Sequence, residues 1–204
     1  MLQLCKGRLR ISFGFFLLSG WFGWGCGGEA LAAVLLASMV HELGHFLVLR
    51  ILGARIRGIR LEMLGVVMET DTFRLSYPKE LAAALAGPAA NLLFAAFLAG
   101  RERCLVLVGA NLSLCLFNLL PIPPLDGGRA AELCLVWLWG PDRGEVLAER
   151  LGRVCRLAFG AGLLCLMAAA KGNLWLLPPA LAALGGAAKR RKKVGFFRKK
   201  CLHS

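Results

Sequence analysis

Two of the three histidines in this chain stand four residues apart, in His41-Glu42-Leu43-Gly44-His45. On a helix, positions i and i+4 share one face, so two imidazoles can meet one metal ion. Glu42 lies beside the first of them, where a carboxylate can take a proton from water activated by the metal. The flanks are Leu31-Ala32-Ala33-Val34-Leu35-Leu36-Ala37 and Phe46-Leu47-Val48-Leu49, apolar on both sides. Ionisable groups are costly at membrane depth, so their presence there marks a functional site.

A catalytic zinc takes three protein ligands and keeps a fourth position open. Two histidines leave one place to fill. His203 lies in a basic tail, whereas Asp126 follows Asn118-Leu119-Leu120-Pro121-Ile122-Pro123-Pro124-Leu125 and precedes Gly127-Gly128. Prolines and glycines unwind a helix, and non-helical backbone is tolerated within a membrane where it lines a cavity. An acidic residue on that unwound end can turn toward a metal. Asn118, just upstream, offers an amide to a developing oxyanion or to a substrate backbone. Gly87-Pro88-Ala89-Ala90-Asn91 supplies small residues for close helix approach and an amide for an interhelical hydrogen bond.

The elements that must position these residues are apolar. Of 204 residues 58% are hydrophobic, which is high for a soluble domain. Apolar segments run over 11–26, 29–49, 81–99, 104–122, 157–170 and 173–185. About twenty apolar residues cross the hydrocarbon core, so segments two to four are comfortable spans and the others are short. Trp21 and Trp24 suit an interface belt in an uncleaved first span. With six spans and a cytoplasmic N-terminus, only Arg101, Arg103 and Lys171 of the 25 Lys and Arg fall on the outer side. The positive-inside rule therefore puts both termini in the cytoplasm, with His45 and Asp126 at similar depth.

A net charge of +13 raises nucleic acid as a partner. The basic residues lie in connections between apolar runs rather than in one basic, aromatic stripe, which argues for no nucleic acid. The Lys189–Lys200 cluster reads as a cytoplasmic anchor for anionic headgroups. The eight cysteines form no C-x-x-C pair and read as small reduced hydrophobes.

These elements together resemble the site-2 protease family of intramembrane zinc metalloproteases. The resemblance rests on His41-Glu42-Leu43-Gly44-His45, then Gly87-Pro88-Ala89-Ala90-Asn91, then Asn118 through Pro121 to Leu125-Asp126-Gly127-Gly128, over roughly residues 1–185. The six-span plan is most similar to the stage IV sporulation protein FB branch, and the chain ends too soon after its last span for a nucleotide-binding CBS domain. The resemblance implies Zn2+ held by His41, His45 and Asp126, with Glu42 as catalytic base. It also implies a membrane-associated strand region between spans two and three. Residues 54–69 there alternate polar and apolar and turn at Gly65, a strand and hairpin pattern.

The expected fold is an all-α integral membrane protein of about six transmembrane helices, with a short membrane-associated β-hairpin between helices 2 and 3. Residues 1–188 form the polytopic protease domain and 189–204 a basic cytoplasmic tail. The expected activity is zinc-dependent hydrolysis of a peptide bond in a membrane-associated or single-span protein. The resemblance extends to regulated proteolysis of a sporulation or sigma-factor precursor, with room for an inhibitory membrane partner. Asn91, Val66 and Val67 are the expected substrate contacts, the two valines through strand addition. Two rival readings use the same residues: a divalent-metal transporter and a catalytically silent membrane scaffold. A transport path would need polar residues through the full membrane depth, whereas the ligand set clusters toward one side.

Overall fold

In the computed structural model, the described residues are 9–11, 25, 27–62, 65–71 and 75–169. Most of the first expected span, all of the sixth and the basic tail lie outside them. The chain divides into two units, Met1–Leu119 and Leu120–Ser204.

The first unit holds three mutually packed helices: α1 (Gly28–Ile51), α2 (Tyr77–Leu98) and α3 (Leu105–Asn118). The first two are long and apolar enough to cross a membrane. Helix α1 stops where Gly53 takes φ 75°, and the Ala54 N–H reaches back to the Leu49 carbonyl at 2.9 Å. A left-handed glycine just past the last turn satisfies carbonyls that the helix leaves open. Helix α2 begins after Ser76, with Pro78 in its first turn, where a missing N–H costs nothing. Leu49, Ala54, Leu75 and Ala83 then bury one another where α1 ends and α2 begins. Gly100, at φ 83°, turns the chain from α2 toward α3.

The fourth expected span, 104–122, is helical only over Leu105–Asn118. Fourteen residues rise about 21 Å, short of the roughly 30 Å of hydrocarbon. The helix ends ahead of Pro121, Pro123 and Pro124, since proline removes backbone donors and disfavours helix in the residue before it.

Between α1 and α2 lie β2 (Arg55–Glu62) and β3 (Gly65–Asp71), paired antiparallel with Leu61 opposite Val66 and Arg60 opposite Val67. Strand β1 (Leu9–Ile11) pairs parallel with β2, placing Leu9 opposite Ile59. The order β1-β2-β3 leaves β3 as an edge of the described sheet. Strand β1 takes residues just before and at the start of the first expected span, a pairing that no alternation in three residues can announce.

The second unit contains α4 (Asp126–Ala169), a third element long and apolar enough to cross a membrane. It is two helical arms, because Gly140 takes φ 78° and ψ 167° ahead of Pro141. The arms fold back on each other closely. A Cβ added at Gly144 would collide with the Val136 backbone and lie 2.6 Å from the Leu135 carbonyl oxygen. The expected fifth segment, 157–170, is the far end of the second arm as far as Ala169, and residue 170 lies outside the described residues. The residues before it, read only as a connection, are helical as well.

Trimming the clearance at Gly144 should be costly, because overpacking a tight contact costs about 1–3 kcal/mol. Gly144→Ala is expected to lower the thermal unfolding midpoint in detergent. Gly162→Ala, where the added Cβ meets nothing within 4 Å, should leave it unchanged or raise it.

Candidate metal centre

Helix α1 presents His41, buried, and His45, half-buried, on the face that packs against α2. Their rings lie edge to face with centroids 4.8 Å apart, and the two Nε2 atoms are 3.2 Å apart. The His45 Nδ1–H donates to the Ala83 carbonyl oxygen at 2.8 Å. That bond leaves the Nε2 lone pair of a neutral His45 ring pointing at the His41 Nε2. Two nitrogens held at about 3.3 Å are the edge of a tetrahedron with metal–nitrogen bonds of about 2.0–2.1 Å. The pair therefore fits two corners of a zinc-type site.

Small residues on α2 make this geometry available. A Cβ on Gly87 would collide with the His45 Nε2 and lie 2.8 Å from the His41 Nε2. One on Gly44 would lie 2.6 Å from both the Ala86 carbonyl oxygen and the Ala90 Cβ. Helices α1 and α2 are thus in backbone contact at the level of the histidines, as small-residue seams permit. Pro88 is fully buried and has no N–H for the Ala84 carbonyl, which loosens the turn beside the one that receives His45.

Asn91 is wholly buried, and its Nδ2 donates to the Ala37 carbonyl oxygen at 3.3 Å. It ties α2 to α1 one turn before His41, so its position is that of a helix clamp. Asn118, half-buried, donates one amide hydrogen to the Leu114 carbonyl oxygen at 3.1 Å and keeps a second. Glu42 is half-buried on α1 next to His41. Val66 and Val67 lie on β3.

In the second unit, Asp126 is half-buried and opens α4, where a carboxylate favours the positive end of the helix dipole. The preceding stretch is a chain of short turns. The Ile122 N–H donates to the Leu120 oxygen at 2.7 Å, Leu125 to Ile122 at 2.8 Å and Arg129 to Leu125 at 3.1 Å. Gly128 is buried under this stretch, since a Cβ there would lie 2.6 Å from the Ile122 carbonyl carbon. Gly152 meets it from the second arm, where an added Cβ would lie 2.7 Å from the Pro123 Cδ. The two glycines thus close around the proline turn that leads into Asp126.

Sequence reasoning did not single out Ala83, whose backbone oxygen sets the His45 tautomer. Its only signal is its place one helical turn before Gly87. Asn111 was also missed: it is wholly buried and its Nδ2 donates to the Leu107 oxygen at 2.8 Å.

A histidine pair spaced for a metal, on a membrane-length helix clamped by a glycine seam, makes a candidate metal site of the membrane-protein class. No family model matches the chain. It is 33% identical over 194 residues to a Synechocystis protein assigned as a zinc metalloprotease, covering 86% of this chain and 49% of that one. It is 33% identical over 110 residues to stage IV sporulation protein FB of Bacillus subtilis, covering 50% of this chain and 38% of that one. Its fold matches the site-2 protease from Methanocaldococcus jannaschii with a TM-score of 0.65, at 22% identity, over 92% of both chains. That likeness shows a fold shared with a site-2 protease. The chain spans about half, or less, of the length of these two curated relatives.

Replacing Gly87 should disturb the histidine pair without touching a ligand. Losing the outer support of a metal ligand costs about 10–100-fold in affinity. Gly87→Ala is expected to fall in that range by metal analysis of purified protein, with its helical circular dichroism retained.

Proposed function

We propose that this chain is a zinc-dependent intramembrane endopeptidase that hydrolyses a peptide bond in a membrane-associated protein. The observation that carries the reading is the His41–His45 pair, with its Nε2 atoms 3.2 Å apart. With Asp126, which the motif order in the sequence supplies, the donor set is two imidazole nitrogens and a carboxylate oxygen, the chemistry of a three-ligand zinc site. The zinc-metalloprotease assignment of the Synechocystis relative supports the same ion.

When bound, zinc supplies a Lewis acid that polarises a carbonyl and makes water acidic near neutral pH. Glu42 accepts a proton from the attacking water and passes it to the leaving amine, so that one water is added across the C–N bond. His45 keeps its ligand tautomer through Ala83. Asn118 offers its second amide hydrogen to the developing oxyanion. Asn91 serves the substrate indirectly, by fixing the α1–α2 spacing.

In the membrane, this reading has six spans, both termini and the 50–80 connection in the cytoplasm, and the strand pair lying at the membrane surface. The free edge of β3 takes up an unwound substrate segment by strand addition at Val66 and Val67. The likeness to stage IV sporulation protein FB supports a role in sporulation; the reading extends it to regulated proteolysis of a sporulation or sigma-factor type precursor under an inhibitory membrane partner.

The deciding experiment is co-expression with a panel of single-span membrane substrates, with zinc measured on the purified enzyme. Wild type should hold about one zinc per chain, and His41→Ala, His45→Ala or Asp126→Asn should lose it. Glu42→Gln should keep zinc and lose cleavage, because an amide cannot accept the proton. Turnover within about tenfold of wild type in that variant would assign the base elsewhere.

Strand addition predicts a different signature. Proline at Val66 or Val67 removes a backbone donor, so at least one of these variants should cleave far more slowly at unchanged zinc content. Wild-type rates in both would place substrate capture away from β3. For topology, reporter fusions at the C-terminus and near Arg74 should give cytoplasmic signals, and one after Arg103 an external signal.

A further inference from the structure

On the side of α1 turned away from the histidines, a trough runs between α1 and α3. Its main cavity, about 350 Å³, is lined by Leu36, Met39, Val40, Leu43, Phe94 and Leu107. A second cavity of about 180 Å³ shares Leu36 and Leu107 with it and reaches Glu29 and Arg103 where both helices begin. The lining of the main cavity is wholly apolar, and Met39 and Leu43 are 69% and 54% exposed on it. Such a surface on a membrane-length helix suits hydrocarbon. The mouth is different in kind: Glu29 and Arg103 are both exposed, carry opposite charges, and form no ion pair among the described residues. Nearby Arg101 is already placed over the Phe97 ring, 4.8 Å from its centroid.

We propose that this trough binds one zwitterionic glycerophospholipid of the phosphatidylethanolamine type. An acyl chain lies along Leu36, Val40, Leu43 and Phe94. The guanidinium of Arg103 takes the phosphate, for which its planar fork is suited, and Glu29 takes the ammonium. An anionic headgroup would satisfy Arg103 but set its charge against Glu29, so the paired charges select a headgroup that carries both signs. The occupant also has a structural consequence. Leu43 is part of the turn that presents His41, Glu42 and His45 on the opposite face, so the acyl chain backs the helix at the level of the site. The inference rests on membrane embedding and not on the protease reading.

The test uses the full chain, purified in mild detergent with defined mixtures of phosphatidylethanolamine, phosphatidylglycerol and phosphatidylcholine, and read by native mass spectrometry. One retained phosphatidylethanolamine per chain is expected, and Arg103→Gln should reduce its retention about tenfold. Glu29→Gln should abolish the preference over phosphatidylglycerol while lipid is still retained. Both residues are exposed, and unchanged thermal unfolding before lipid addition checks that the variants fold. Equal retention of all three lipids by wild type, or no retained lipid, overturns the proposal. A photo-crosslinker at Met39 gives an independent answer. A lipid adduct supports the site, whereas crosslinking to residues 11–26 of the same chain or to a second copy overturns it.

Discussion

The arrangement depends on one close approach, the backbone contact between α1 and α2 at Gly44 and Gly87. Any Cβ at Gly87 would occupy the space of the two imidazoles, and any at Gly44 would push α2 away by its Ala86 carbonyl. With both absent, the Ala83 carbonyl comes within 2.8 Å of the His45 Nδ1 and fixes which ring nitrogen stays bare. In hydrocarbon there is no hydrophobic force to bring two helices together, so close packing and interhelical hydrogen bonds must do it. The Asn91 to Ala37 bond and the Gly44–Gly87 seam are those two contributions, placed within two turns of the histidines.

A second constraint governs the chain after α3. Three prolines within four residues cannot continue a helix, yet the stretch must end at a carboxylate held in a fixed place. The solution is local: short turns from Leu120 to Leu125 hand the chain to α4, with Asp126 as its first residue. Gly128 and Gly152 allow the two arms of α4 to grip the proline turn directly. Glycine thus serves two separate places, the seam beside the histidines and the turn before the aspartate. In each it removes a side chain where backbone or ring atoms must pass.

The chemistry was legible in the sequence because it depends on short spacings. Four residues between His41 and His45 put them on one face of any α-helix, and the apolar flanks placed that helix in a membrane. The glycine–proline–asparagine segment read as a packing element, and the proline-rich stretch read as an unwound end before Asp126. Apolar length likewise marked α1 and α2 as spans.

What the tertiary structure decided are the features carried by backbone atoms and by distance. No side chain announces Ala83 as the partner of His45, since its contribution is a carbonyl oxygen exposed to α1 across a glycine seam. The true length of α3 was hidden because apolar residues continue past Asn118 while the prolines end the helix. The helical arms of α4 were hidden because Arg143, Arg150, Arg153 and Arg156 break the apolar run without breaking the helix. Composition follows the surroundings of a side chain, whereas helix is set by backbone donors and acceptors, and in this chain the two part company after residue 118. The sequence alone determined which groups could bind a metal and at what helical spacing. Only packing decided which ring nitrogen of His45 stays bare, because that depends on a carbonyl thirty-eight residues away.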